Sequence, residues 1–174
     1  MRVLGVDPGS RATGYGVIEI EGATPRARAC GVIRPREESL ALRLVCIQDE
    51  LADLIREWRP EVAALESVFA AQNIRSALLL GHARGAALAA CGRAGLEVAE
   101  YAPTAVKAGV VGYGRASKQQ VQQMVISLLS LQGVPALDAT DALAVGLCHA
   151  NGMRLREAVA RQGGGSMRLR RGTT

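Results

Sequence analysis

Nowhere does the chain hold a run of about 18 apolar residues, so it offers no membrane-spanning helix. The apolar start, Val3 to Val6, is cut off by Asp7 and is too short for a secretory signal. The chain is therefore expected in the cytoplasm. It also lacks any C-x-x-C pair. Cys30, Cys46, Cys91 and Cys148 lie far apart among aliphatic neighbours, which excludes a zinc framework or a disulfide scaffold and leaves reduced thiols acting as small hydrophobes. Histidine is scarce, and His82 and His149 both fall inside helical patterns where a structural role is expected. With 174 residues there is room for one domain with a sizeable core and a tail, but none for a second catalytic domain.

The charge is unevenly placed. Of the net +5, residues 151–174 contribute six arginines against Glu157, and residues 67–118 carry Arg75, Arg84, Arg93, Lys107, Arg115 and Lys118 against Glu97 and Glu100. Two basic stretches beside an otherwise acidic body point to a polyanionic partner. The division expected is a folded domain over 1–150 and a basic, flexible tail over 151–174.

Arg2 to Val6, Gly16 to Ile20 and Ala29 to Arg34 read as three strands of an antiparallel meander. Leu40, Leu44, Ile47, Leu51, Ile55 and Trp58 then recur at helical spacing up to Pro60. Glu61 to Glu66 is a fourth strand. A helix follows from Ile74 to Cys91, with Ile74, Leu78, Gly81, Gly85 and Leu88 on one face that is either a core contact or a dimer face. Leu96 to Tyr101 is the fifth strand, Pro103-Thr104 opens a helix, and Gly109 to Gly114 reads as a glycine-rich loop. Ser117 and Gln120 form a capping box ahead of a further helix. The last helix runs from Asp138 to Ala150, with disorder expected from Gly163. This order is that of an RNase-H-like α/β domain, a mixed five-stranded sheet flanked by helices.

Four acids stand out. Asp7-Pro8-Gly9-Ser10 ends the first strand and leaves a carboxylate at the sheet's end; an isolated Asp-Pro-Gly would be no more than a turn. Gly14 and Gly16, just beyond, could admit a phosphate backbone. Glu66 ends the fourth strand in the same way, and lies beside Asp7 if the two strands are parallel neighbours. Asp138 and Asp141, three residues apart, share one face of a helix start, a pattern that serves metal binding or helix capping. Taken together, four hard oxygen donors without His or Cys select Mg²⁺ or Mn²⁺. Two such ions about 3.5–4 Å apart would activate water and stabilise a leaving 3′ oxygen.

Gly5 to Gly16, Glu66-Ser-Val-Phe69, Ser76 to Gly85, Val110 to Lys118 and Asp138 to Ala144 occur in an order and spacing that resemble the RuvC family of Holliday-junction resolving endonucleases. The resemblance covers about residues 1–150. It implies an RNase-H-like fold and a homodimer that makes paired symmetric nicks in four-way junction DNA, leaving 5′-phosphate and 3′-hydroxyl ends. It also implies partners, the branch-migration proteins RuvA and RuvB. It makes Asp7, Glu66, Asp138 and Asp141 the catalytic and metal-binding acids, with two Mg²⁺ per site and Mn²⁺ substituting. Lys107 and Lys118 fall where the family contacts DNA, and Phe69, the chain's one phenylalanine, falls at an aromatic position that meets bases at the junction.

Lys118 sits at the first position of its helix, where a cation opposes the helix dipole, so an anion is expected to compensate it. Ser117, Lys118 and the free N–H groups together form a phosphate site. Three rival readings are weighed. A ribosomal-RNA-processing nuclease of the same fold is not expected to carry Glu66-Ser-Val-Phe69 with a downstream lysine pair. An actin-like ATPase needs two such domains. A binding module without catalysis has no use for four acids.

Overall fold

The computed structural model of the protein describes residues 1–22, 24–67 and 74–163. β1 (Arg2–Asp7), β2 (Thr13–Glu21) and β3 (Thr24–Ile33) form the meander; α1 (Leu40–Trp58), β4 (Val62–Glu66), α2 (Ile74–Arg93) and β5 (Glu97–Tyr101) follow; α3 (Pro103–Val111), α4 (Lys118–Leu128) and α5 (Leu137–Gly163) close the chain. The sheet order is β3-β2-β1-β4-β5, with β1 antiparallel to β2 and parallel to β4, and β4 parallel to β5. It is the RNase-H-like architecture that the element order implied.

Strand alternation divides the core into two layers. Val3 and Ile18 face α3, α4 and α5, together with Val62 and Ala64. Leu4, Val6, Val17, Ala63 and Leu65 face α1 and α2 on the other side. The same period of two turns the side chains of Asp7 and Glu66 towards α5. On α1 the buried residues are Ile47, Leu51 and Ile55, as the spacing predicts. The helix stops where Arg59 takes a left-handed conformation (φ 47°) just before Pro60.

Helix α5 packs closely on β1 and β2 where glycines face it. A Cβ on Gly5 would stand 2.0 Å from the Ala142 carbonyl oxygen, one on Gly14 would stand 1.9 Å from that of Asp138, and one on Gly16 would meet the Leu143 side chain at 2.6 Å. Gly14 and Gly16 therefore admit a helix, and not the phosphate backbone suggested by the sequence.

Three other expectations change. On α2 the buried side is Ala83, Ala87, Ala90 and Cys91, while Ile74 and Leu78 are 81% and 60% exposed. Of the stripe read as core or dimer face only Leu88 packs against the core; apolar residues occupy several sides of α2, and periodicity alone does not choose among them. Gly109 belongs to α3 and packs on Cys148, so the loop is shorter than expected. Finally, α5 begins at Leu137 and continues to Gly163, so residues 151–163 extend the helix beyond the expected end at Ala150. The tail arginines at 168, 170 and 171 and Phe69 lie outside the described residues. All four cysteines are free, two of them buried. His149 is buried and bonded through Nδ1 to the Tyr101 hydroxyl at 2.8 Å, whereas His82 is on the exposed side of α2.

Gly5→Ala should lower folding stability by about 1–3 kcal/mol, the usual penalty for overpacking. Gly152→Ala in the same helix, where a Cβ meets nothing within 4 Å, should raise it by up to about 1 kcal/mol. Urea unfolding of both variants checks the pair, and equal effects would contradict the close approach of α5.

Candidate active site

The four acids arrive on three elements, Asp7 on β1, Glu66 on β4, and Asp138 with Asp141 on α5. Asp7 is the last residue of β1, and the chain behind it is stapled by Thr13, whose hydroxyl donates to the Gly9 carbonyl at 2.8 Å and accepts from the Gly9 N–H at 3.2 Å. The parallel pairing of β1 with β4 ends at Val6 and Leu65, so Asp7 and Glu66 follow as the next rank. Asp7 pairs across β2 with Gly14, the residue against which the Asp138 carbonyl rests. That contact sets the start of α5 beside Asp7. Because α5 begins at Leu137, Asp138 lies within the first helical turn and not at the cap position.

The four acids are electrostatically joined. Burial, and then Glu66, Asp141 and Asp138 in that order, push the Asp7 carboxyl up to about 7, against a small opposing pull from Lys118. Glu66 is raised by burial and by Asp141, while Lys118 and Lys107 counter the shift. A site that holds an acid half-protonated near neutral pH is short of positive charge.

Two cations partly supply it. Lys118 Nζ lies 3.3 Å from Asp141 Oδ2, and Asp141, the largest influence on it, raises the ammonium's own affinity for its proton. The anion expected to compensate Lys118 at its helix start is thus a carboxylate of the site itself. On the other flank Arg34 lies 3.8 Å from Asp138. Arg34 was not singled out in the sequence, because nothing near it in the chain signals a partner more than a hundred residues away.

Glu66, Asp141, Lys107 and Lys118 line a common cleft of about 280 Å³ with Pro103, Val106, Val121 and Ala144. Ser117 caps α4 as expected: its hydroxyl accepts from the Gln120 N–H at 3.2 Å, and the Gln120 side chain accepts from the Ser117 N–H at 2.8 Å. The hydroxyl proton of Ser117 stays free to donate, but its backbone N–H is committed, so the phosphate site there is smaller than the sequence implied.

As donors the four carboxylates fit a hard divalent cation. Among the described residues, however, no three acidic, His or Cys side chains are gathered closely enough to form a coordination shell as they stand. Asp138 and Asp141 are paired instead with Arg34 and Lys118.

The family described as crossover junction endodeoxyribonuclease RuvC matches residues 3–149. A relative from Bordetella avium with that same description is 50% identical, over 99% of this chain and 98% of its own. One from Halorhodospira halophila is 56% identical over 86% and 90%. Among solved structures, Thermus thermophilus RuvC in complex with a Holliday junction substrate superposes with a TM-score of 0.85 at 34% identity, covering 90% of this chain and 96% of that one. The yeast mitochondrial resolvase Ydc2, at 13% identity and a TM-score of 0.59, shares the fold.

Because folding raises the Asp7 value above that of an unfolded Asp, its contribution to stability is fullest at low pH and is lost as pH climbs from about 4 to about 7. In metal-free buffer the folding stability gained by Asp7→Asn, measured by urea unfolding, should therefore grow over that interval, by roughly 1.4 kcal/mol per pH unit at most, and level off above it. A gain that is the same at pH 4 and pH 8 would show that Asp7 is not held near neutrality.

Proposed function

The chain belongs to the RuvC family of crossover junction endodeoxyribonucleases, and from that premise we propose that it resolves four-way Holliday junctions in recombination and repair. Paired nicks would leave 5′-phosphate and 3′-hydroxyl ends. The observation that carries this reading is the convergence of Asp7, Glu66, Asp138 and Asp141 on one end of the sheet, strongly enough to push Asp7 up to about 7.

In this reading the four acids hold two Mg²⁺ ions, with Mn²⁺ substituting, and the ions supply activation of water and stabilisation of the leaving oxygen. The chain's own residues do the rest. Lys107 and Lys118, on the wall of the cleft that also holds Glu66 and Asp141, bind the scissile strand through its phosphates. Lys118 exchanges Asp141 for a phosphoryl oxygen, where a fixed cation stabilises charge that grows during attack. The Ser117 hydroxyl donates to a neighbouring phosphate, and Phe69 stacks on bases at the crossover. Proton release from Asp7 accompanies metal binding, so metal affinity should weaken below about pH 7.

A junction has two strands to cut, and two active sites are required. The exposed Ile74 and Leu78 on α2, with open space above Gly81 and Gly85, support a homodimer packed through that helix. RuvA and RuvB are the partners this reading assigns, and residues 151–174 supply a basic extension that adds non-specific affinity for DNA. The location this reading assigns is the cytoplasm; among the described residues no helix is long and apolar enough to cross a membrane.

Nicking of an end-labelled movable four-way junction in Mg²⁺ tests the activity. The amide variants of Asp7, Glu66, Asp138 and Asp141 should bind junctions in chelator as wild type does and fail to cut. Lys118→Met should slow single-turnover cleavage more than it weakens binding. Normal cleavage by any amide variant would remove that acid from the site. Leu78→Glu should shift the protein from dimer to monomer in sedimentation, and a dimer that survives the change would move the interface elsewhere.

A further inference from the structure

The two sides of Glu66 are held differently. Its carboxylate faces α5 and the other acids. Its carbonyl belongs to the last residue of β4, one step past the point where pairing with β1 stops. On the β5 side the ladder goes one residue further, through the Ser67 N–H to the Tyr101 carbonyl at 2.8 Å. The Glu66 carbonyl instead accepts from Arg84, whose Nη1 approaches to 2.9 Å.

Arg84 comes from α2, on the face of the sheet opposite to α5, and is 16% exposed. Its Nη2 pairs with the Glu100 carboxylate on β5, so one rigid guanidinium spans a helix, the end of β4 and its neighbouring strand. The alanines that form the buried side of α2 let the helix sit near enough for this reach. The fork matters because guanidinium donors have fixed relative directions, whereas a lysine ammonium is one point charge.

The cations that bear on the Glu66 carboxylate are Lys118 and Lys107. The charge of Arg84 is matched by Glu100, and its second contact falls on the backbone. Asp141 and Asp7 meanwhile repel the Glu66 carboxylate, a force that would displace a strand end held only on one side.

We propose that Arg84 is a positioning residue for the metal site: it fixes the backbone of Glu66 from behind the sheet so that the carboxylate meets the divalent cation. The inference rests on the reading of the four acids as metal ligands. A ligand must be held to within about 0.5 Å for its site to close, and partners that orient ligands change metal affinity by roughly 10–100-fold when removed. A mere clip joining α2 to the sheet would change folding stability alone.

Calorimetric titration of the full chain with Mn²⁺, without DNA, separates the two. Glu66→Gln serves as the reference for a lost ligand. Arg84→Lys keeps the pair with Glu100 but not the second arm of the fork; it should melt within a few degrees of wild type and bind Mn²⁺ on the order of tenfold more weakly. Arg84→Ala should lose at least as much affinity per folded molecule, and if it does not fold then Arg84→Lys decides. In single-turnover cleavage the Arg84→Lys variant should need correspondingly more Mn²⁺ for its half-maximal rate while binding the junction normally in chelator. Wild-type Mn²⁺ affinity in Arg84→Lys overturns the proposal, as does a loss that merely follows the unfolded fraction. Failure of the wild-type chain to nick junctions would instead refute the functional reading, and the Mn²⁺ titration would still decide the role of Arg84.

Discussion

Everything at the candidate site depends on how closely α5 approaches the sheet. Gly5, Gly14 and Gly16 on the strands and Gly146 on the helix remove the side chains that would keep the two apart; a Cβ on Gly146 would stand 2.9 Å from Ile18. Packing at this distance is intolerant of added volume. It also fixes where the helix begins along β2, because Gly14, the partner of Asp7 in the β1–β2 ladder, lies under the Asp138 backbone. One contact thus joins a fold requirement to the placing of two acids.

That placing is electrostatically unfavourable by itself. Asp7 is pushed up to about 7 by burial and by its three acidic neighbours, and the fold tolerates the arrangement only because strand pairing and helix packing fix the backbones. Lys118 and Arg34 hold Asp141 and Asp138 from opposite flanks. Each is more than half exposed, so these pairs add little stability and are easily exchanged. A site so short of positive charge is what the proposed metal binding rests on.

The sheet has a working face and a supporting face. Residues facing α5 carry the acids, while α1 and α2 bury an aliphatic and alanine-rich layer on the other side. Arg84 is a polar side chain on that supporting side, and it touches the backbone of Glu66. The same helix exposes Ile74 and Leu78 at its start, so the surface proposed for a second copy and the support proposed for Glu66 share one element.

Much of this was legible in the sequence, where short-range physics decides. Helix spacing in Leu40–Trp58, the Ser117–Gln120 capping box, and strands ended by Asp7 and Glu66 all follow from local periodicity, turn chemistry and hydrogen-bonding groups within a few residues. The acids were conspicuous because a carboxylate at the end of an apolar strand has few structural uses. Tertiary packing decided the rest. Gly14 and Gly16 signal only that something comes close, and the fold alone makes it a helix. The buried side of α2, apolar on several faces, was settled by what lies beside it. The pairs Lys118–Asp141, Arg34–Asp138 and Arg84–Glu66 join residues that only the fold brings together, and charge attraction over a few ångströms leaves no trace in sequence spacing.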